Sequence, residues 1–144
     1  MTYHFQNPSD ETIKAYLQEA KRIAVVGLSD RTETAAYGVA KFMQAMGYRI
    51  IPVNPKLAGH EILDEKVYAS LKDIPEAIDI VDVFRRSEAL PQVAQEFLET
   101  DAKVFWAQLG LENQEAEAIL RAAGKEDIVM NRCLKIDYRT SCYN

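Results

Sequence analysis

The chain is poor in the residues that build metal and disulfide sites: it has two histidines, His4 and His60, and two cysteines, Cys133 and Cys142. No Cys/His spacing resembles a zinc or iron site. With no disulfide framework either, a reducing compartment, the cytoplasm, is expected. No apolar stretch approaches the roughly 20 residues that span a bilayer. The opening Met-Thr-Tyr-His-Phe-Gln-Asn has neither a basic n-region nor a long apolar core, so it is not expected to be a signal peptide. Basic residues are outnumbered 17 to 22, for a formal net charge of −5. That balance argues against non-specific nucleic-acid or membrane binding, which favours a basic face. A bound anion must then meet positive charge locally. Internal repeats and low-complexity segments are missing, and no base stands in a recognisable relation to a serine or cysteine nucleophile.

What is present is ordinary in balance: 144 residues, 48% apolar and 27% charged. One domain over 1–144 is expected, long enough to bury roughly two-thirds of its unfolded surface without metal or disulfide. It is organised around residues 22–38. Ile23, Ala24, Val25 and Val26 are apolar on both faces, as in a parallel strand covered by helices on both sides. Gly27 turns the chain, a polar segment from Ser29 to Thr34 follows, and Val39, Phe42, Met43 and Met46 begin a helical stripe. Free backbone N–H groups at the mouth of that helix can bind an anion, so a nucleotide-type ligand is expected there.

The remaining pattern repeats strand and helix. Ser9, Asp10 and Glu11 read as the cap and acidic first turn of a helix over about 9–20, with Ile13, Tyr16, Leu17 and Ala20 on one face. Gly47 closes the helix after the central stretch, Tyr48 to Val53 forms strand two, and Asn54-Pro55 ends it. Lys56 to Lys66 reads as a loop and Val67 to Leu71 as a short helical turn. Strand three is Ile78 to Phe84, after which Ser87 caps a helix carrying Leu90, Val93, Ala94, Phe97 and Leu98, with Pro91 in its first turn. Lys103 to Ala107 is strand four; a helix with Ala116, Ile119, Leu120 and Ala123 follows and stops at Gly124. Strand five is Asp127 to Met130, and the tail over 134–144 is expected as an edge strand or surface arm. The fold class is α/β, a five-stranded, mainly parallel, doubly wound sheet of Rossmann type.

In such a sheet ligands collect outside the carboxyl ends of the strands. Those ends are Gly27-Leu28-Ser29, Val53-Asn54-Pro55, Phe84-Arg85-Arg86, Ala107-Gln108-Leu109-Gly110 and Asn131-Arg132-Cys133. Gly27 reads either as a simple strand-to-helix bend or as a point where backbone approaches a phosphate, with the Ser29 hydroxyl and the amides near Tyr37 and Gly38 completing a cradle. Arg31 and Arg85 are candidates to pair phosphate through a planar fork, Lys56 and Arg132 weaker ones, and Arg86 reads as a surface charge. The third glycine of the dinucleotide fingerprint is absent, and Asn54 stands where an acidic residue would hold the ribose of NAD, which disfavours a nicotinamide cofactor. Cys133 reads as a small buried hydrophobe or, beside Arg132, as a thiolate. Phe84, Phe105 and Trp106 read as core aromatics.

In order and spacing, Val25-Val-Gly-Leu-Ser29, Tyr37-Gly38, Val53-Asn-Pro55, Val83-Phe-Arg85, Trp106-Ala-Gln-Leu-Gly110 and Asn131-Arg-Cys133 resemble the small stand-alone CoA-binding proteins. These are similar to the CoA-binding domain of the succinyl-CoA synthetase α-subunit. The resemblance spans about 15–140 and implies CoA, or an acyl-CoA, at the carboxyl edge. It implies further that the Gly27 to Ser29 turn and the next helix start hold the diphosphate and that Val53, Asn54 and Pro55 border the adenosine. Phe84, Arg85, Ala107 and Gln108 would line the crevice, with Cys133 near the pantetheine sulfur and able to exchange disulfides with CoA. The synthetases' phosphorylated histidine and ATP-grasp domain have no counterpart, so a binding protein without turnover is expected. Two alternatives stand beside it: an NAD(P)-binding oxidoreductase or redox sensor, and a regulatory CoA-binding subunit of an acyl-CoA synthetase-like complex with a protein partner.

Overall fold

The computed structural model describes residues 2–142. Ser9 caps the first helix as its sequence suggests, its hydroxyl accepting the Thr12 amide at 3.2 Å, and α1 runs Asp10–Glu19 with Ile13 and Leu17 buried. There follow β1 (Arg22–Val26), α2 (Ala35–Ala45), β2 (Arg49–Val53), a short hairpin of β3 (Glu61–Ile62) and β4 (Glu65–Lys66), and β5 (Ile80–Val83). The chain then makes α3 (Leu90–Leu98), β6 (Val104–Ala107), α4 (Gln114–Ala122), β7 (Ile128–Val129) and α5 (Leu134–Ser141).

Five strands form one parallel sheet in the order β2-β1-β5-β6-β7. The chain leaves β1 toward one edge, returns to β5 on the other side of β1, and so creates a switch point between the carboxyl ends of β1 and β5. Alternating side chains feed two cores. On one face Ala24, Val26, Val81, Val83 and Phe105 meet Leu90, Val93 and Phe97 of α3 and Ala116 and Leu120 of α4. The rings of Phe97 and Phe105 meet edge to face at 5.6 Å. On the other face Ile23, Val25, Ile80, Val104 and Trp106 meet α1, α2 and Leu134 of α5. The buried Trp106 indole satisfies its one donor by bonding the Arg132 carbonyl at 2.8 Å.

Four sequence expectations change. Lys56 to Lys66 is not a plain loop, since it contains a 3-10 turn at Pro55–Leu57 and the β3–β4 hairpin. The hairpin turns through Leu63 and Asp64, both at positive φ, so the glycine or asparagine that marks such turns is missing from the sequence. The helical turn expected at Val67 to Leu71 lies at Leu71–Asp73, while Tyr68 bridges to Val53. Ser87 does not cap α3: it opens a 3-10 turn, and its hydroxyl instead accepts the Glu112 amide at 3.3 Å. The tail is neither strand nor arm but α5, which packs on α1 and α2 with the Tyr138 ring between Phe42 and Tyr48. The ends of the expected 1–144 span, residues 1, 143 and 144, lie outside the described residues.

Asp82 breaks the apolar pattern. It is fully buried between Val25 and Trp106 in the sheet register, and neither carboxyl oxygen has a hydrogen-bond partner among the described residues. Burial raises its pKa well above the usual aspartate value, and no neighbouring charge contributes. The folded protein therefore holds the proton that the unfolded chain releases. The resulting stability is fully present below the ordinary aspartate pKa and is lost as pH rises through the raised one. Asp82→Asn should remove this dependence: denaturant titrations from pH 4 to 7 should show the wild type losing up to about 1.4 kcal/mol per pH unit relative to the variant. Parallel profiles for the two proteins would contradict it.

Candidate functional site

Three of the five strand ends converge on Gly27. Its φ of 90° is in the left-handed region, and a Cβ there would stand 2.3 Å from the Phe84 carbonyl oxygen. Glycine is required on both counts. The Gly27 amide donates to Val53 O at 2.8 Å and the Phe84 amide to Val26 O at 2.8 Å, locking the ends of β2, β1 and β5 together. Asn54 adds a tie through its side chain, donating to Leu28 O at 3.0 Å and accepting the Lys56 amide at 3.0 Å. With both polar atoms committed, Asn54 acts first as a brace between the β1 and β2 loops.

Beyond Gly27 the loop is shaped by its own hydroxyls. Ser29 Oγ accepts the Arg31 amide at 3.0 Å, and Thr34 Oγ1 donates to Arg31 O at 2.7 Å. Thr34 is also the cap of α2, accepting the Tyr37 amide at 3.3 Å, while the Gly38 amide bonds Thr34 O. The amides of Tyr37 and Gly38 are therefore engaged within the helix, a correction to the expected cradle. Donors with no acceptor among the described residues include Ala35 and Ala36, in the same first turn, and Ser29 and Asp30 in the loop. Helix N-terminal amides of this kind, with the helix dipole behind them, attract anions.

The cations divide sharply. Arg31 pairs with Glu33 at 3.0 Å in solvent. Arg132 is bidentate to Asp137, at 2.9 and 2.8 Å, and touches Asp10 at 3.3 Å. Its hydrogen bond to Asp137 raises its pKa, but its fork is occupied, so it is not a free phosphate ligand, and its charge is balanced where Cys133 begins α5. Arg85, Arg86 and Lys56 form no ion pair among the described residues. Arg85 stands out by position, with its Cδ 3.4 Å from where a Gly27 Cβ would be.

Arg85 also divides two clefts at the carboxyl edge. One, of about 510 Å³, lies between the ends of β1 and β2 and helix α3, bordered by Val53, Pro55, Ser70, Gln92, Glu96 and the Lys72–Glu99 pair. The other, of about 730 Å³, opens over the ends of β5 and β6, with Ala35, Val39, Phe84, Gln108, Leu109 and Cys133 in its wall. Sequence reasoning pointed to Phe84, Arg85, Gln108 and Cys133 here. It missed Ala35, Val39 and Leu111, and it left Arg86, also in the wall, as a surface charge. Gly110 and Asn131 shape the rim, the Gly110 amide donating to Asn131 Oδ1 at 2.7 Å; Ala107 is buried beneath it. A further cleft of about 480 Å³ opens at the amino edge, but Glu11, Glu19, Asp79 and Asp127 line it, a poor surface for a polyanion. Among the described residues no group of three His, Cys, Asp or Glu could hold a metal ion, and no helix is long and apolar enough to cross a membrane.

Known proteins resemble the chain over most of its length. A protein of Bacillus subtilis (strain 168) called uncharacterized protein YneT is 56% identical over 131 residues, covering 91% of this chain and 95% of that one. The α subunit of acetate–CoA ligase (ADP-forming) I of Pyrococcus furiosus is 31% identical over 107 residues, 67% of this chain but only 23% of that subunit. A solved structure from Thermus thermophilus superposes with a TM-score of 0.88 at 36% identity, covering 93% of this chain and 99% of that one. The family model described as CoA binding domain matches residues 21–139. The chain belongs to the CoA-binding domain family.

Proposed function

We propose that the protein binds CoA across the carboxyl edge of its sheet and holds it without turnover, in the cytoplasm. The observation that carries this reading is the unpaired Arg85 guanidinium arm beside the Gly27 bend, on the ridge between the two clefts. A diphosphate on the ridge meets the open amides of Ser29, Asp30, Ala35 and Ala36 from one side and Arg85 from the other. Its nucleoside half extends toward Val53, Asn54, Pro55 and Lys56, and its pantetheine half toward Phe84, Gln108 and Cys133.

Cys133, half-buried at the start of α5, gives the thiol end of the ligand a covalent option. Its thiolate form would attack one sulfur of CoA disulfide, forming a Cys133–CoA mixed disulfide and releasing CoA thiolate. A second reading, a regulatory CoA-binding subunit working with a synthetase-like partner, draws on the acetate–CoA ligase subunit that matches part of this chain.

Isothermal titration with CoA, dephospho-CoA and NAD⁺ tests the main reading: CoA should bind measurably and NAD⁺ should not, whereas equal or absent heats for all three would reject it. Arg85→Ala should weaken CoA about 10- to 100-fold, the scale of charge-assisted hydrogen bonds to phosphate. An unchanged affinity would remove Arg85 from the site. After incubation with CoA disulfide, intact mass should show one CoA adduct on the wild type and none on Cys133→Ser. An adduct that persists in the variant would assign the exchange to Cys142.

A further inference from the structure

The cleft over β5 and β6 has a chemistry that CoA itself does not explain. Apart from the two arginines at its mouth and Gln108, its wall is carbon: Ala35, Val39, Phe84, Leu109 and Leu111, with the Cys133 sulfur at one side. A pantetheine arm that enters past Arg85, Arg86 and Gln108 has polar partners there for its two amides, whereas the carbon of Ala35, Val39, Leu109 and Leu111 offers them none and suits an apolar group instead. Leu109 is 61% exposed, one of two large hydrophobic residues left in solvent among those described. Its exposure is enforced by the backbone. The Leu111 amide bonds Gln108 O at 2.9 Å, the Asn131 amide bonds Leu111 O at 2.9 Å, and Asn131 Oδ1 holds Gly110, which has φ of 89°. A leucine held outward by a braced turn on the rim of an apolar trough marks a surface awaiting an apolar occupant.

Gln108 supplies the one polar element of the wall. It is nearly buried, and its Oε1 accepts the Leu134 amide at 3.2 Å. That bond fixes the side-chain orientation, because only the oxygen can accept. The NH2 group is left with no acceptor among the described residues, yet it is not sealed from the cleft. One donor set in a carbon wall suits a ligand with one carbonyl and an aliphatic chain.

Resting on the CoA reading above, we propose that this cleft is a subsite for the acyl end of an aliphatic acyl-CoA, Gln108 donating to the thioester carbonyl and the chain lying along Val39, Phe84, Leu109 and Leu111. The pantetheine arm would run from the diphosphate held at Arg85 to the thioester at Gln108.

Titrating the protein with CoA and with acetyl-, butanoyl-, hexanoyl- and succinyl-CoA tests this. From acetyl to hexanoyl the affinity should rise by about threefold per methylene, the scale of apolar transfer. Succinyl-CoA, with the butanoyl carbon count but a terminal carboxylate, should bind more weakly than butanoyl-CoA. Leu109→Ser, at a position exposed to solvent and outside the core, should lower the ratio of hexanoyl-CoA to CoA affinity about tenfold. An equal affinity for CoA and hexanoyl-CoA, or a preference for the succinyl ester, would overturn the acyl subsite and leave the CoA reading standing. If neither CoA nor any ester binds, the CoA reading falls and the subsite with it.

Discussion

The contact between the Phe84 carbonyl and the space where Gly27 lacks a side chain is the constraint on which the carboxyl edge depends. Any Cβ at that position would force β1 and β5 apart at the switch point, where the sheet order already opens a crevice. Because the contact is backbone on backbone, it cannot be relieved by a change of rotamer. It holds the start of the β1 loop, the end of β5 and, through the Gly27 amide, the end of β2 in one fixed arrangement. Gly27 is thus needed by the fold before any ligand arrives, and the two readings of that residue in the sequence are not rivals. The bend that packs the strands also leaves the following amides without acceptors.

Arg85 inherits its place from the same contact. As the residue after Phe84 it emerges beside the bend, while two of the other candidate cations are drawn off: Arg31 by Glu33 and Arg132 by Asp137 and Asp10. In a chain of net negative charge, leaving Arg85 unpaired between two clefts concentrates positive potential on one ridge. The clefts on either side differ in character, one bordered by Ser70, glutamines, Glu96 and the Lys72–Glu99 pair, the other mostly by aliphatic and aromatic carbon. That asymmetry matches a ligand with a polar and an apolar half.

Much of this was legible in the sequence because it rests on strong local signals. The strands of the main sheet are apolar on both faces, the glycines at 27, 47, 110 and 124 take positive φ as turn or cap residues do, and the rule on carboxyl ends turned a strand list into a site list. What was missed had weak signals. Two-residue strands have no periodicity to detect, and the Leu63-Asp64 turn lacks glycine. Helix α5 buries only Leu134 and Asp137, too narrow a stripe to announce a helix. Ala35 and Val39 read as ordinary core positions of α2, and only the position of the β6–α4 loop opposite them makes a cleft wall. Arg132 misled because its partners lie five residues on in the next helix and far back at Asp10.

Whether CoA lies against the Gly27 bend can be read from an amide correlation spectrum of the labelled protein with and without CoA. CoA at the carboxyl edge should place the largest shifts and new exchange protection on Ser29, Asp30, Ala35 and Ala36, with the Arg85 side-chain Nε signal moving with them. Shifts confined to the amino edge, around Asp79 and Asp127, with the β1 loop unperturbed, would contradict it.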